Sequence, residues 1–280
     1  DFGQSFTMGA EYFTHWLAPR ALYGLKDYFE FDLMPKIKGL YSREELQHTD
    51  LRYSKPGIDA VFLSHGHFDH IAHISFIDEK IPVFCGSGTK LFIESLEETS
   101  QLSLGEHVYE TFRTGSKIEI GSLEIEPIHV DHSIPSAYGF IVQTSEGEIV
   151  YSGDIRAHGP KKEMTEEFIE KAQAHEPAAM ITEGTRMVEK EHRVNYSELG
   201  VKEKSNEIVS NTDRIVFVTH YGRDTDRLRT MYEVARESNR KIVIFPRIAY
   251  LLAKLVSDEH LDLPEPLKDD NILVYYKRKK

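Results

Sequence analysis

The segment Leu63–His73 reads LSHGHFDHIAH and is richer in metal-ligand side chains than any other part of the chain. Its nine residues from His65 to His73 contain four histidines and one aspartate. The preceding run Ile58–Leu63 is apolar and rich in strand formers, which predicts a buried strand that leads into a loop. The residues that follow the cluster are predicted to open a helix.

The spacing of these side chains favours two neighbouring metals over one. In an extended loop, His65, His67 and Asp69 point to one side, whereas His70 is turned elsewhere. The donors are all nitrogen or oxygen atoms and Cys85 is the only cysteine, whereas structural zinc sites usually have four ligands, often including cysteine. The pattern therefore predicts a hydrolytic metal site. The alternative is a histidine-rich solvated loop.

Composition narrows the classes of function. With 280 residues, of which 40% are hydrophobic, the chain can bury a sizeable core in one large domain or about two ordinary ones. We see no apolar run near the ~18 residues of a membrane span and no basic-then-apolar leader, so we expect no membrane partner and a cytoplasmic location. The formal net charge of −12 argues against a broad nucleic-acid-binding face. Any nucleic-acid site must therefore be local.

Alternating apolar segments predict an α/β protein. The strands and helices expected downstream of the cluster are 81–85, 89–98, 138–143, 148–151, 165–174, 178–182, 214–219, 226–237 and 241–245. A β-hairpin with one solvent-facing side is expected over Lys117–Glu126, and Ser42–Glu45 predicts a helix start. The aromatic-rich stretch Tyr12–Tyr41 indicates core packing or a contact within a homo-oligomer, or alternatively one wall of an active-site cleft.

The cluster resembles a family signature. A His-x-His-x-Asp-His pattern after an apolar strand resembles the signature of the metallo-β-lactamase-fold hydrolases, and two further motifs follow in the expected order. His132 lies in a His-Ser-Ile-Pro stretch similar to that of the ribonuclease J branch, and Asp154 follows a strand in Ser-Gly-Asp. The resemblance implies two metal positions bridged by Asp154, with zinc favoured and manganese as the alternative. The implied ligands are His65, His67 and His132 for the first ion and Asp69 and His70 for the second.

The same resemblance assigns catalytic roles. Asp69 would also orient the attacking hydroxide, and His220 is the candidate for a cap histidine near the leaving group. Asp1 would occupy the position of an aspartate that precedes the histidine cluster in the family. His129 and Asp131 are expected to be core groups or groups that support the ligands, and His73 has no place in the ligand set.

The second half of the chain resembles the β-CASP subgroup, the branch that acts on nucleic acids. Glu183-Gly184-Thr185-Arg186 resembles its acidic first motif, and the segment from Arg214 onward resembles the start of a β-CASP cap. The resemblance implies an αββα metallo-β-lactamase sandwich over residues 1–193 and an inserted, incomplete α/β cap over residues 194–280. We expect a fragment that lacks the family's N-terminal hairpin and a C-terminal return segment carrying one more metal-binding histidine.

Three functions agree with these residues. The first is a ribonuclease J-like β-CASP nuclease that cleaves RNA with a metal-activated hydroxide, with Arg186, Arg223 and Arg227 contacting phosphates. The second is a hydrolase of the same fold that acts on a small ester, lactone or phosphodiester and needs no basic groove. The third is a binding or scaffold protein without turnover. The intact cluster favours an enzyme, and the β-CASP-like segment favours the nuclease.

Overall fold

A computed structural model describes residues 1–4, 18–185, 187, 194 and 196–276. The described helices are α1 (Lys26–Glu30), α2 (Phe68–Ile71), α3 (Ser87–Glu98), α4 (Lys162–Ala174), α5 (Glu198–Ser210), α6 (Thr225–Glu237) and α7 (Pro246–Leu255). The described strands are β1 (Val61–Leu63), β2 (Val83–Gly86), β3 (Tyr109–Phe112), β4 (Ile118–Ile120), β5 (Leu123–His129), β6 (Tyr138–Thr144), β7 (Gly147–Tyr151), β8 (Ala179–Ile181), β9 (Ile242–Ile244) and β10 (Ile272–Val274). Short 3₁₀ helices lie at Ala21–Tyr23 and Ala72–Phe76.

Two sheets form the N-terminal part of the fold. In the first, β1, β2 and β3 are parallel in that order, and α2 and α3 form part of the crossovers that parallel pairing requires. In the second, the order is β4-β5-β6-β7-β8, antiparallel except that β8 runs parallel to β7. The expected hairpin is confirmed as β4 and β5, joined through Gly121 and Ser122.

Aromatic side chains hold the two sheets face to face. Phe62 of β1 and Phe84 of β2 stack with ring centroids 4.8 Å apart. Phe62 also meets Phe140 of β6 edge-on at 5.7 Å. Because side chains alternate along a strand, the neighbours of these residues face outward, away from the other sheet. The inter-sheet core is therefore aromatic, and each sheet has a second face to bury.

Helices cover those outer faces. Leu63 and Cys85 of the first sheet pack in one buried cluster with Leu25 and with Phe29 of α1. On the second sheet, Phe168 of α4 packs with buried residues of β5, β6 and β7. These four layers are the expected αββα sandwich, so the predicted fold class is confirmed for this part of the chain.

The C-terminal part packs on the first sheet's crossover helix. Leu251 and Leu255 of α7 share a buried cluster with Phe92 and Leu96 of α3. The two parallel strands β9 and β10 form a separate sheet next to α6 and α7. Within the described residues, no helix is both long and apolar enough to cross a membrane.

Two predicted elements are wrong. Residues 214–219 form no strand, and Phe217 is 85% exposed, because no described strand lies beside this apolar run to accept its hydrogen bonds. Residues Ser42–Glu45 form turns instead of a helix, since Tyr41 is tied to Ile77 by an isolated β-bridge and the segment is too short to propagate a helix alone. The sequence patterns also missed β3, α5 and α7.

We expect Phe168→Ala to lower the free energy of unfolding by about 3–5 kcal/mol, because the ring is fully buried against β6 and leaves a cavity. Its matched control is Ile169→Ala, on the same helix but 50% exposed, which should cost less than about 1 kcal/mol. Urea unfolding of both variants measures the difference. Equal losses would contradict the placement of α4.

Candidate metal centre

The histidine cluster lies where β1 ends and α2 begins. His65 and His67 lie in the connecting loop, and α2 starts at Phe68 with extended backbone at His67. The predicted helix start is therefore confirmed. The expected alternation of His65, His67 and Asp69 along an extended loop is wrong, because the helical turn separates Asp69 from the two histidines and groups it with His70.

Three imidazoles and one carboxylate converge in a first group of ligand atoms, from His65, His67, His132 and Asp154. His67 Nδ1 lies 3.0 Å from His65 Nε2 and 2.9 Å from His132 Nε2. Asp154 Oδ2 lies 3.8 Å from His65 Nε2 and 3.7 Å from His132 Nε2. Tetrahedral ligands around zinc are about 3.3 Å apart at ordinary Zn–N distances. The group thus has the size and donor set of a four-coordinate zinc site.

A second group shares the same carboxylate and consists of Asp69, His70 and Asp154. His70 Nε2 lies 3.5 Å from Asp69 Oδ2 and 3.3 Å from Asp154 Oδ1. Asp154 therefore presents Oδ2 to the first group and Oδ1 to the second, as a carboxylate that bridges two ions would do. Among the described residues the second group has three ligand atoms, which leaves room for water or substrate oxygens.

Asp1 and Ser64 orient two of the histidines. Asp1 Oδ2 accepts a hydrogen bond from His70 Nδ1 at 2.8 Å, so that the other ring nitrogen faces the ligand group. Ser64 donates its hydroxyl to Asp1 at 2.7 Å and lies 3.0 Å from His65 Nδ1. Tyr151 donates a third hydrogen bond to Asp1. Such supporting contacts fix the tautomer and the direction of a ligating imidazole.

Burial keeps the first group's histidines neutral. Desolvation lowers the pKa of His67 to about 4 and that of His132 to about 3, and it lowers the pKa of fully buried His65 well below its usual value. Burial alone would raise the pKa of Asp154, but its hydrogen bond with His70 lowers that pKa overall. Neutral imidazoles and an ionised carboxylate are the forms that bind a metal cation.

Gly153 lets the Asp154 loop approach the cluster. Its φ of +57° is in the left-handed region, and a Cβ there would lie 2.8 Å from Ser64 Cβ and 2.9 Å from the Tyr138 carbonyl oxygen. Glycine has no Cβ, so it avoids both the backbone strain of a positive φ and these close contacts. Gly153 therefore allows the Asp154 carboxylate to lie beside the histidines of both groups.

Three further residues of the histidine-containing motifs lie outside the ligand groups. His129 stacks on Tyr138 with ring centroids 4.9 Å apart. His73 is buried against Tyr28 and other aromatic rings. Asp131 is fully buried and pairs with Arg156. These placements agree with the core or supporting roles predicted for them.

The four remaining candidates for catalysis and substrate contact lie in different surroundings. His220 Nδ1 lies 2.9 Å from the Tyr221 carbonyl oxygen, to which it donates, and Nε2 has no hydrogen-bond partner among the described residues. Arg223 lines a cleft beside the cluster. Arg227 instead forms a two-pronged pair with Glu198, at 2.7 and 3.0 Å, which ties α6 to α5. Arg186 lies outside the described residues.

The cleft beside the cluster has a volume of about 850 Å³. Its lining consists of Phe68, Gln101, Tyr221, Gly222, Arg223, Phe245, Pro246, Arg247 and Ile248. Phe68 separates His67 from Asp69 in the sequence, and the Tyr221 ring lies 6.0 Å from the His67 ring. The cleft therefore lies beside the first ligand group. Its lining includes two arginines and three aromatic rings but no carboxylate.

Sequence reasoning missed several of these residues. Ser64 and Tyr151 have no motif of their own, although Ser64 ends the strand next to the histidine cluster. Phe245 and Arg247 lie at the start of α7, about 180 residues beyond the cluster in the sequence, and reach the cleft only because α7 packs on α3. A local sequence pattern carries no signal of that packing.

Comparison with known proteins identifies the family. The model of the β-lactamase superfamily domain matches residues 31–221, which is more than half of the chain. The chain therefore belongs to the β-lactamase superfamily, and its two-sheet fold with a His/Asp centre is the metallo-β-lactamase fold.

Individual relatives extend this result. Ribonuclease J 2 from Streptococcus pyogenes is 25% identical over 225 residues, or 74% of this chain and 40% of that protein. Ribonuclease J from Sinorhizobium meliloti is 23% identical over 202 residues, or 69% of this chain and 35% of that protein. The matched regions thus span less than half the length of these curated relatives. A crystal structure of a protein of unknown function from Enterococcus faecalis shares the fold, with a TM-score of 0.74 and 22% identity over 98% of this chain and 67% of that one.

We expect His132→Ala to remove about one metal equivalent per chain after reconstitution with zinc, because it deletes one of the first group's three imidazoles. Its matched control is His129→Ala, three residues away and outside both groups, which should retain the wild-type metal content. Elemental analysis of the purified, folded variants gives the stoichiometry. Equal metal contents in the two variants would exclude His132 as a ligand.

Proposed function

We propose that this chain carries the catalytic centre of a metal-dependent hydrolase that cleaves RNA phosphodiester bonds, as the names of its ribonuclease J relatives suggest. Residues 1–193 would form the catalytic domain, and residues 194–280 part of a cap. The observation that carries the proposal is the cleft beside the ligand groups, in which arginines and aromatic rings occur together without a carboxylate.

That lining suits a single-stranded nucleic acid. Stacking of one base on an aromatic side chain stabilises binding by about 1–3 kcal/mol and depends little on which base it is. Arginines contact the phosphates. Among the described residues, Arg247 forms no ion pair, and the one hydrogen bond of the Arg223 side chain is a 3.5 Å contact with Gln101. Neither guanidinium is neutralised by a carboxylate in this part of the chain. A local cationic groove is compatible with RNA binding by a chain whose net charge is −12. Salt screens the repulsion between the phosphates and carboxylates that lie more than about 10 Å away.

The ligand groups suit hydrolysis of a phosphodiester. Zinc or manganese bound there would lower the pKa of a coordinated water and stabilise negative charge on the phosphate oxygens. Asp69, which is partly accessible to solvent, would accept a hydrogen bond from the attacking water and orient it. His220 protonated on both ring nitrogens would deliver the Nε2 proton to the leaving oxygen and become neutral, while Nδ1 keeps its hydrogen bond to the Tyr221 carbonyl. Arg223 would hold the phosphate in place.

We expect Asp69→Asn to reduce RNA hydrolysis by about 100-fold or more, because a neutral amide is a weaker acceptor for the attacking water and a weaker metal ligand than a carboxylate. Its matched control, Asp59→Asn, changes an exposed aspartate outside both ligand groups and should leave the rate unchanged. Single-turnover cleavage of a labelled single-stranded RNA measures both rates. Retained turnover in Asp69→Asn would remove Asp69 from its role.

In the metal-loaded Asp69→Asn background, we expect Arg223→Ala and Arg247→Ala each to weaken RNA binding and to lower the salt dependence by about one phosphate contact. Arg52→Ala, which changes an exposed arginine outside the cleft, serves as the control and should change neither. Fluorescence anisotropy at several salt concentrations gives the slopes. If the parent protein binds no RNA even at low salt, the function becomes hydrolysis of a small ester, lactone or phosphodiester.

A further inference from the structure

Four charged side chains form a network next to the ligand loops, in which the two carboxylates are buried and the two cations partly exposed, namely Asp131, Asp226, Arg156 and Lys161. Arg156 Nε and Nη2 donate to Asp131 Oδ1 at 3.1 and 3.0 Å, and Nη2 also donates to Asp226 Oδ2. Lys161 Nζ donates to Asp226 Oδ1 at 2.9 Å. The side chains of Asp131 and Asp226 are 0% and 3% exposed, so both carboxylates depend on these cations for their charge compensation.

The network connects two metal-ligand loops. Asp131 directly precedes His132, and Arg156 follows Asp154 by two residues. In addition to the side-chain contacts, the backbone N–H of Arg156 donates to the Asp131 carbonyl oxygen at 3.0 Å. Arg156 therefore clamps one loop to the other by both backbone and side chain. These contacts join the loop that carries His132 to the loop that carries Asp154.

The surroundings of the clamp leave little space for it to shift. The Asp131 N–H donates to Thr165 Oγ1 of α4 at 2.9 Å. The backbone of Gly159 lies so close that a Cβ there would be 2.2 Å from Arg156 Nε and 2.3 Å from Asp131 Oδ2. Because close-packed interiors transmit small displacements, a change at one end of the network moves the other.

The other end of the network is on α6. Asp226 lies in the first turn of that helix, and the adjacent Thr225 donates its backbone N–H to the Ser133 carbonyl oxygen at 3.1 Å. The start of α6 is thus seated directly on the loop that carries His132. The same helix follows the segment with Tyr221 and Arg223, which line the cleft.

We infer that Arg156 is a positioning residue that couples the seating of α6 to the geometry of the metal ligands. One guanidinium contacts both Asp131 and Asp226, so displacing α6 loosens the His132 and Asp154 loops, and ordering those loops around a metal secures α6. The coupling is reciprocal, because two linked equilibria must affect each other by the same factor. This inference rests on the metal centre proposed above.

The first test measures zinc affinity by competition with a chromogenic chelator. We expect Arg156→Met to weaken binding by about 10- to 100-fold, the usual effect of losing a supporting contact. Asp226→Asn should weaken it several-fold, although Asp226 contacts no ligand, and Arg156→Lys should restore part of the loss. The matched control is Arg113→Met, which also separates an arginine from a buried aspartate, Asp258, but outside both ligand groups. It should lose stability and keep its zinc affinity.

The second test begins with the wild-type chain, so its first result does not depend on whether a variant folds. Zinc should slow amide hydrogen exchange in α6, as measured by mass spectrometry, and Asp226→Asn should diminish that protection. Zinc binding without any change in α6 exchange would overturn the coupling and leave the metal centre intact. An unchanged zinc affinity in folded Arg156→Met would overturn it equally. If the wild-type chain bound no zinc, both the metal centre and the coupling would be wrong.

Discussion

The rest of the site depends on the position of one carboxylate, Asp154, between two groups of ligands. Each of its oxygens faces a different group, at 3.3 to 3.8 Å from the nearest imidazole nitrogens. Such an arrangement requires the loops after β1, β5 and β7 to reach the same point. Burial lowers the pKa values of the three histidines in the first group and so keeps them neutral, the form in which an imidazole binds a metal ion.

The fold provides that convergence in layers. An aromatic core aligns the two sheets, so that the loop from β1 meets the loops from β5 and β7 at one edge of the sandwich. Gly153 removes the side chain that would hold two of those loops apart. Outside this edge, the segment before α6 and the start of α7 line the cleft with polar and aromatic side chains. Asp226 of α6 forms one end of the charge network. The centre and the cleft are therefore built from distant parts of the chain.

Local sequence patterns predict the parts of this structure that depend on local contacts. The cluster His65–His70 is contiguous and unusual in composition, so it indicates a metal site by itself, whereas His132 and Asp154 are identified only from the order of family motifs. Prediction fails where long-range packing decides the outcome. The apolar run 214–219 resembles a strand but has no described strand to pair with, and Arg247 reaches the cleft only through the packing of α7 on α3.

We propose that two metal ions bind on either side of Asp154. Anomalous diffraction at the zinc absorption edge, from crystals of the zinc-reconstituted protein, tests it most directly. We expect two peaks about 3.5–4 Å apart, one beside Asp154 Oδ2 and the three imidazoles and one beside Oδ1, Asp69 and His70. A single peak, or peaks away from these side chains, would contradict it.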